Sequence, residues 1–287
     1  MDKNNHISTD DLAERHQPKK GEKEKGCLIR CRGRTENHVC SHQWQAQVKA
    51  EEIDYDVYNY PKYWSLCGEG KFRTGARGWP HNYGKEWLGF YWKDKPTHEG
   101  KEWDVKKNDN FTHFLKPYWH NAHHIIPNGA LKAAINKTSK VDIRLPNLIR
   151  YCLLKAEYNL NDMVNMIILP QGKNVAIALG LPRHLKGDSG ALEPAPGVGL
   201  TPDSRKVDPS KAEEKFSHKN YSNTIEDKLI GIIDQYKKAL ENAIKEHPKL
   251  ECDLDKKKLE NLSEKIHKEI VDTGPVFAGN ALSHLFG

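Results

Sequence analysis

The sequence predicts an α+β fold, and three observations carry that expectation. Two short apolar runs end in proline, at residues 122–127 and 165–170, and their length and β-branched content suit strands. Longer stretches around 146–156, 225–244 and 259–270 carry apolar residues three or four apart, the period of an amphipathic helix. At 287 residues the chain is long enough for two modest domains, or for one with an elaborate extension.

Residues 1–26 are charged and nearly devoid of large apolar side chains, so they read as a flexible tail. Residues 27–110 form a cysteine- and aromatic-rich module. Within it, 41–53 reads as a helix with Ser41 as its N-cap and Trp44 and Val48 on one face. Trp79, Tyr83, Trp87, Phe90, Tyr91 and Trp92 either fill the core of a small β-rich unit or, lying amid Lys and Arg, stack on bases. Residues 111–287 make up the remaining domain. Its first strand holds His123 and His124, and a helix followed by a polar turn spans 132–140. Pro146 opens the next helix, where its missing N–H costs nothing. Leu148, Ile149, Cys152, Leu153 and Ala156 form that helix's core face. A turn at 159–162 leads into a strand at 165–169. The segment 187–214 is rich in Gly and Pro and reads as an exposed loop insertion. The clearest helix follows His218. Ile225, Leu229, Ile232, Ile233, Tyr236, Leu240 and Ile244 lie on one side of it, with Glu226, Asp227, Lys237, Lys238 and Glu241 on the other. His247-Pro248 ends it. Leu259, Leu262, Ile266 and Ile270 mark one more amphipathic helix.

Composition narrows the function classes. The formal net charge of +6 is compatible with a polyanionic substrate without demanding one. The chain is hydrophilic, with a mean hydropathy of −0.80, and no apolar run is long enough to predict a transmembrane helix. The first residues lack the apolar core of a signal peptide, so export, if it occurs, is expected through a machine that reads no cleaved signal. Of six cysteines, Cys27, Cys31, Cys40 and Cys67 fall in the first quarter of the chain. With His38 and His42 as neighbours, they suit a structural metal, a disulfide or separate thiols, and the spacing leaves all three open.

The chemistry-bearing stretch is Ala122-His123-His124-Ile125-Ile126-Pro127. Consecutive residues of a strand point to opposite faces, so the two imidazoles cannot duplicate each other's role. One can hold a metal while the other faces a substrate water. Asn165 opens Asn165-Met166-Ile167-Ile168-Leu169-Pro170, His184 follows Arg183, and His218-Lys219-Asn220-Tyr221 precedes the long helix. This order resembles the HNH, or ββα-metal, nucleases. More narrowly it is similar to their AHH branch of bacterial toxins, which carry Ala-His-His-Ile-x-Pro, a downstream Asn-x-Ile-x-Leu-Pro and a final His-x-x-Tyr. The resemblance covers residues 115–245. In AHH nucleases the last two histidines lie close together, whereas here residues 185–217 separate His184 from His218. The stretch around Ser41-His42-Gln43-Trp44-Gln45-Ala46-Gln47-Val48 and Gly78-Trp79 also resembles the leading region of type VI secretion effectors.

The resemblance implies a ββα-metal nuclease core with surrounding helices, beside the aromatic-rich N-terminal module. It implies His124 as the general base that activates water, because an ordinary imidazole pKa lies near working pH. Asn165 is expected to hold the His124 tautomer, or else to be a buried Asn bonded to backbone. His123 and His218, with His184 as third, are the expected ligands of one divalent ion. Zinc, nickel or cobalt is favoured by affinity, magnesium or manganese by supply. His218, expected at a helix start, would meet phosphate beside outward-pointing N–H groups. Arg183, Lys186, Lys215 and Lys219 flank the expected ligands and are candidate contacts to the nucleic-acid backbone. The expected partners are a DNA substrate, type VI secretion components and a cognate immunity protein in the producing cell, with no membrane. The expected place of action is the cytoplasm of a target bacterium. RNA as substrate, or a non-catalytic zinc-binding interaction module, are the competing readings.

Overall fold

The computed structural model describes residues 26–30, 40–58, 111, 120–170, 176, 179–184, 212–246, 254–278 and 282–285. In chain order these form α1 (His42–Glu52), β1 (His120–His124), α2 (Asn128–Lys137), α3 (Leu145–Lys155), β2 (Met166–Pro170), α4 (Ala212–Glu246) and α5 (Lys257–Phe277). The mixture of helices with a small two-stranded sheet is the expected α+β class. The tail, the aromatic cluster from Trp79 to Trp92, most of the Gly/Pro-rich insertion, and Cys31, Cys67 and Lys186 lie outside the described residues. The chain divides into two units, each assembled from three stretches: 1–45, 124–166 and 222–266 in one, and 46–123, 167–221 and 267–287 in the other.

In the first unit, α2 begins after Pro127, whose extended backbone (φ −66°, ψ 143°) sets the helix entrance. Ala130, Leu131, Ala134 and Ile135 are its buried face, and Leu145, Ile149, Cys152 and Leu153 are that of α3. Pro146 lies in the first turn of α3, as its missing N–H predicts. Cys152 takes part in a disulfide. α3 closes with Glu157 at φ 59°, while the N–H of Glu157 reaches the Leu154 carbonyl and that of Tyr158 reaches Leu153. These paired bonds form a Schellman motif, which satisfies the last carbonyls and turns the chain sharply. The turn delivers Tyr158 to Cys27, whose N–H donates to the Tyr158 carbonyl at 2.9 Å, and Leu160 donates back to the Cys27 carbonyl at 2.7 Å. Residues 26–30 are thereby pinned beside the 158–161 turn. On α4, Ile225, Leu229, Ile233, Tyr236 and Leu240 are buried on one stripe, as their spacing predicts.

The second unit contains most of the two-stranded sheet in which β1 pairs with β2. The strands run antiparallel, because the Ile125 N–H, just past β1, bonds the Asn165 carbonyl, just before β2. The Tyr58 hydroxyl donates to the Ile168 carbonyl (2.6 Å) and accepts from its N–H (3.1 Å), satisfying the outer edge of β2. Asp54 and His267 pair at 2.8 Å.

Two expectations about elements change. Ser41 caps α1, its hydroxyl accepting from the Trp44 N–H at 3.4 Å. The helix does not bury a Trp44–Val48 face, however: both are half-buried, while Ala46 and Ala50 are buried together with Gln45, Gln47 and Lys49. Apolar spacing misleads where a helix is enclosed around most of its circumference. The second change concerns α4, which starts at Ala212 and takes over the end of the predicted insertion. Ala212, Glu213, Glu214 and Lys215 are strong helix formers, with acids in the first turn.

Candidate active site

The histidine pair ends β1, and the two side chains have separate surroundings. His124 is buried at 7% exposure in the first unit. Its Nε2 lies 3.0 Å from Asn161 Oδ1. Asn161 commits its amide N–H2 elsewhere, to the Ile29 carbonyl (2.9 Å) and Cys27 Sγ (3.4 Å), so its oxygen is the group facing the ring. The acceptor therefore keeps the His124 proton on Nε2 and leaves Nδ1 with the lone pair. His42 stacks on the same imidazole, centroids 5.4 Å apart and planes at 25°. Burial, then the neighbouring His42 and Arg30, push the His124 pKa down to about 3, against the opposing pull of Asn161. The ring is thus neutral at rest, rather than titrating near working pH as its ordinary value suggests.

Asn165 does not perform the expected task. Its Oδ1 accepts from the Ile126 N–H (2.7 Å) and the Ser263 hydroxyl (2.9 Å), and its Nδ2 donates to the carbonyls of Ile126 (3.2 Å) and Leu160 (2.8 Å). Every hydrogen-bonding position of the amide is used without the ring of His124. The alternative reading, a buried Asn bonded mainly to backbone, is what the fold contains. Asn165 fixes the chain two residues after His124 and one before Asn161, so it helps to hold the contact between those two side chains. Asn161 was legible only as part of a polar turn, and its role depends on the Schellman turn that brings residues 158–161 to Cys27. Ser263, on the buried stripe of α5, carries no sequence signal of this role.

In the second unit, His123 is buried, its ring 4.7 Å from that of His184 at a 54° tilt and 5.0 Å from Tyr221. His184 is held by its backbone, its N–H donating to the Pro170 carbonyl at the end of β2 (2.9 Å). Its Nδ1 lies 3.1 Å from Asn121 Nδ2. Burial, with Glu269 adding, holds the Tyr221 phenol well above its ordinary pKa, so it stays protonated. His123 and His184 are therefore brought together across a gap of 60 residues in the sequence. The His218 side chain lies outside the described residues, but its backbone sits on α4 three residues before Tyr221, a spacing that places both on one helix face. Six helical residues, 212–217, precede His218, so its N–H belongs to the helix interior and the phosphate site expected at a helix start does not form there.

The remaining candidates divide in the same way. Arg183 is 7% exposed, and its carbonyl accepts from the Leu282 N–H, so it is a buried residue and not the surface contact expected. The side chains of Lys215 and Lys219 lie outside the described residues. Cys27 and Cys40 are buried in one cluster with Ile29, and neither is in a disulfide. Cys40 Sγ donates to Asn159 Oδ1 at 3.7 Å. Among the described residues, no three His, Cys, Asp or Glu side chains are gathered as a metal site. His120 packs edge-on against Phe111, centroids 5.1 Å apart, which makes it a core histidine.

An α+β chain with a neutral, tautomer-fixed imidazole next in sequence to one packed against a second histidine has the parts of a hydrolytic enzyme. Residues 105–190 match the AHH family, described as a nuclease family of the HNH/ENDO VII superfamily with conserved AHH. The resemblance to AHH-type nucleases thus holds over the segment from before β1 through His184, which carries the histidine pair. The match ends before α4 and His218. No curated protein and no solved structure matches the chain.

Proposed function

We propose that the chain is a metal-dependent endonuclease that hydrolyses DNA phosphodiester bonds with little sequence specificity. Its ββα-metal core would comprise β1, β2 and α4. The observation that carries the reading is the His124 tautomer: Asn161 engages Nε2, so Nδ1 is the nitrogen available to take a proton from water. The resting ring is neutral and so able to accept a proton, and an entering phosphate brings the negative charge that raises its basicity. His123 and His184 would hold the ion, with His218 as the third ligand. A buried imidazole and a half-buried one, mutually tilted with centroids 4.7 Å apart, fit such a group, and a set of three leaves positions for substrate. When bound, the ion supplies positive charge to the phosphate and to the leaving oxygen. These groups address the phosphodiester and no base, which supports low sequence specificity.

The biological role we infer is that of an antibacterial toxin, exported by type VI secretion without a cleaved signal and active in the cytoplasm of a target bacterium. A cognate immunity protein would restrain it in the producer. This reading is supported by the sequence resemblance to AHH toxins and by the effector-like stretch that forms α1. Among the described residues, no helix is long and apolar enough to cross a membrane.

The test is plasmid DNA incubated with Mg2+, Mn2+, Zn2+ or Ni2+, with and without EDTA, using the intact chain and His124→Ala. Nicking that needs the ion and falls by about 10^2–10^4-fold in the variant is the expected result. Intact DNA beside degraded RNA moves the same chemistry to RNA. Unfolding in EDTA, with both substrates intact, replaces the enzyme by a structural zinc module.

A further inference from the structure

We propose that Asn121 is a positioning residue for metal binding, and that it does so by setting which nitrogen of His184 is available to the ion. The inference rests on the reading of His123 and His184 as ligands and adds a residue to it. A strand repeats every two residues, so Asn121 and His123 share a face of β1. Asn121 is half-buried there, and its amide lies 3.1 Å from His184 Nδ1. The His184 ring packs at the same time against His123, centroids 4.7 Å apart. One strand face therefore presents a ligand candidate and a hydrogen-bond partner to the same imidazole.

The polarity of that bond matters. With Nδ2 facing Nδ1, the amide donates, Nδ1 accepts, and the neutral ring carries its proton on Nε2. That tautomer offers an ion no lone pair at Nε2. Half a turn of the Asn121 amide presents Oδ1 instead, so Nδ1–H becomes the donor and Nε2 becomes the lone-pair nitrogen. An outer partner that accepts from the far ring nitrogen fixes the tautomer and raises ligand basicity. Asn is suited to both states, because one amide can donate before binding and accept after it. An acceptor-only group at this position would hold the binding tautomer permanently.

The experiment is a Ni2+ titration followed by calorimetry on the full chain, Asn121→Leu, Asn121→Asp and His123→Ala. Thermal melts in EDTA confirm that each variant folds. The binding of interest is the part that His123→Ala removes. Asn121→Leu should weaken it by about 10–100-fold, the usual effect of losing an outer partner, while Asn121→Asp should bind at least as tightly as the parent chain. A purely structural role for the amide would not be rescued by a carboxylate that lacks its N–H groups. Equal affinity in Asn121→Leu, or a loss in Asn121→Asp as large as that in Asn121→Leu, overturns this inference alone. Absence of any His123-dependent binding in the parent chain overturns the metal-site reading, and the inference with it.

Discussion

A neutral imidazole accepts a proton only at the nitrogen that carries none, and in His124 a neighbour makes that choice. Replacing Asn161 by Leu removes the acceptor at Nε2, and cleavage should fall by about 10–100-fold in a single-turnover assay with the fold retained. Asn161→Asp keeps an acceptor and adds charge that favours the imidazolium, so the acid limb of its pH–rate profile should move to higher pH. The same residue links stability to pH. The folded pKa of His124, about 3, lies below its ordinary 6.5, so the unfolded chain takes up the proton first. In metal-free protein this costs nothing above about pH 6.5 and destabilises the fold increasingly as pH drops toward 3. Denaturant melts of His124→Asn should show a shallower loss over that window.

At the scale of elements, short polar staples hold the strand ends where packing cannot. Asn165, just before β2, grips both backbone groups of Ile126 and the carbonyl of Leu160. Asn165→Ala strands three buried backbone groups and should cost about 3 kcal/mol or more in urea unfolding, with lower activity as a consequence. The C-terminus of α3 gives the opposite prediction. Glu157 occupies the left-handed region at φ 59°, where a Cβ is strained. Glu157→Gly should raise stability by about 1 kcal/mol without moving the 158–161 turn, read as a higher urea midpoint at unchanged slope. The element pattern itself was largely legible: Pro146, the Ile225–Leu240 stripe and the strand that ends at Pro170 announce themselves locally. The start of α4 was not, since Gly/Pro content nearby masked four good helix formers. Nor was the buried polar character of α1.

For the whole molecule, the buried faces of α2 to α5 among the described residues are mainly apolar side chains, so chelation and folding should separate. EDTA is expected to stop cleavage while leaving the far-UV circular dichroism spectrum unchanged. A coincident loss of helix would instead place the ion among the structural supports of the chain. The candidate site was partly legible at this scale. His123 and His184 were named from the order of motifs, and they do pack together. Arg183 was chosen for its charge beside His184, yet the fold buries it.

The amino-acid sequence alone determined the residue types and local periods: which runs become strands or helices, and that two histidines at the end of a strand have different surroundings. Tertiary structure decided the partners. A side-chain hydrogen bond joins residues whose separation along the chain has no period, so nothing local showed that Asn161 and not Asn165 meets the ring of His124, or singled out Asn121 and Ser263. Only the backbone path, through the turn after α3 and the pairing of Cys27 with that turn, put one amide against the ring of His124 and committed the other to the backbone.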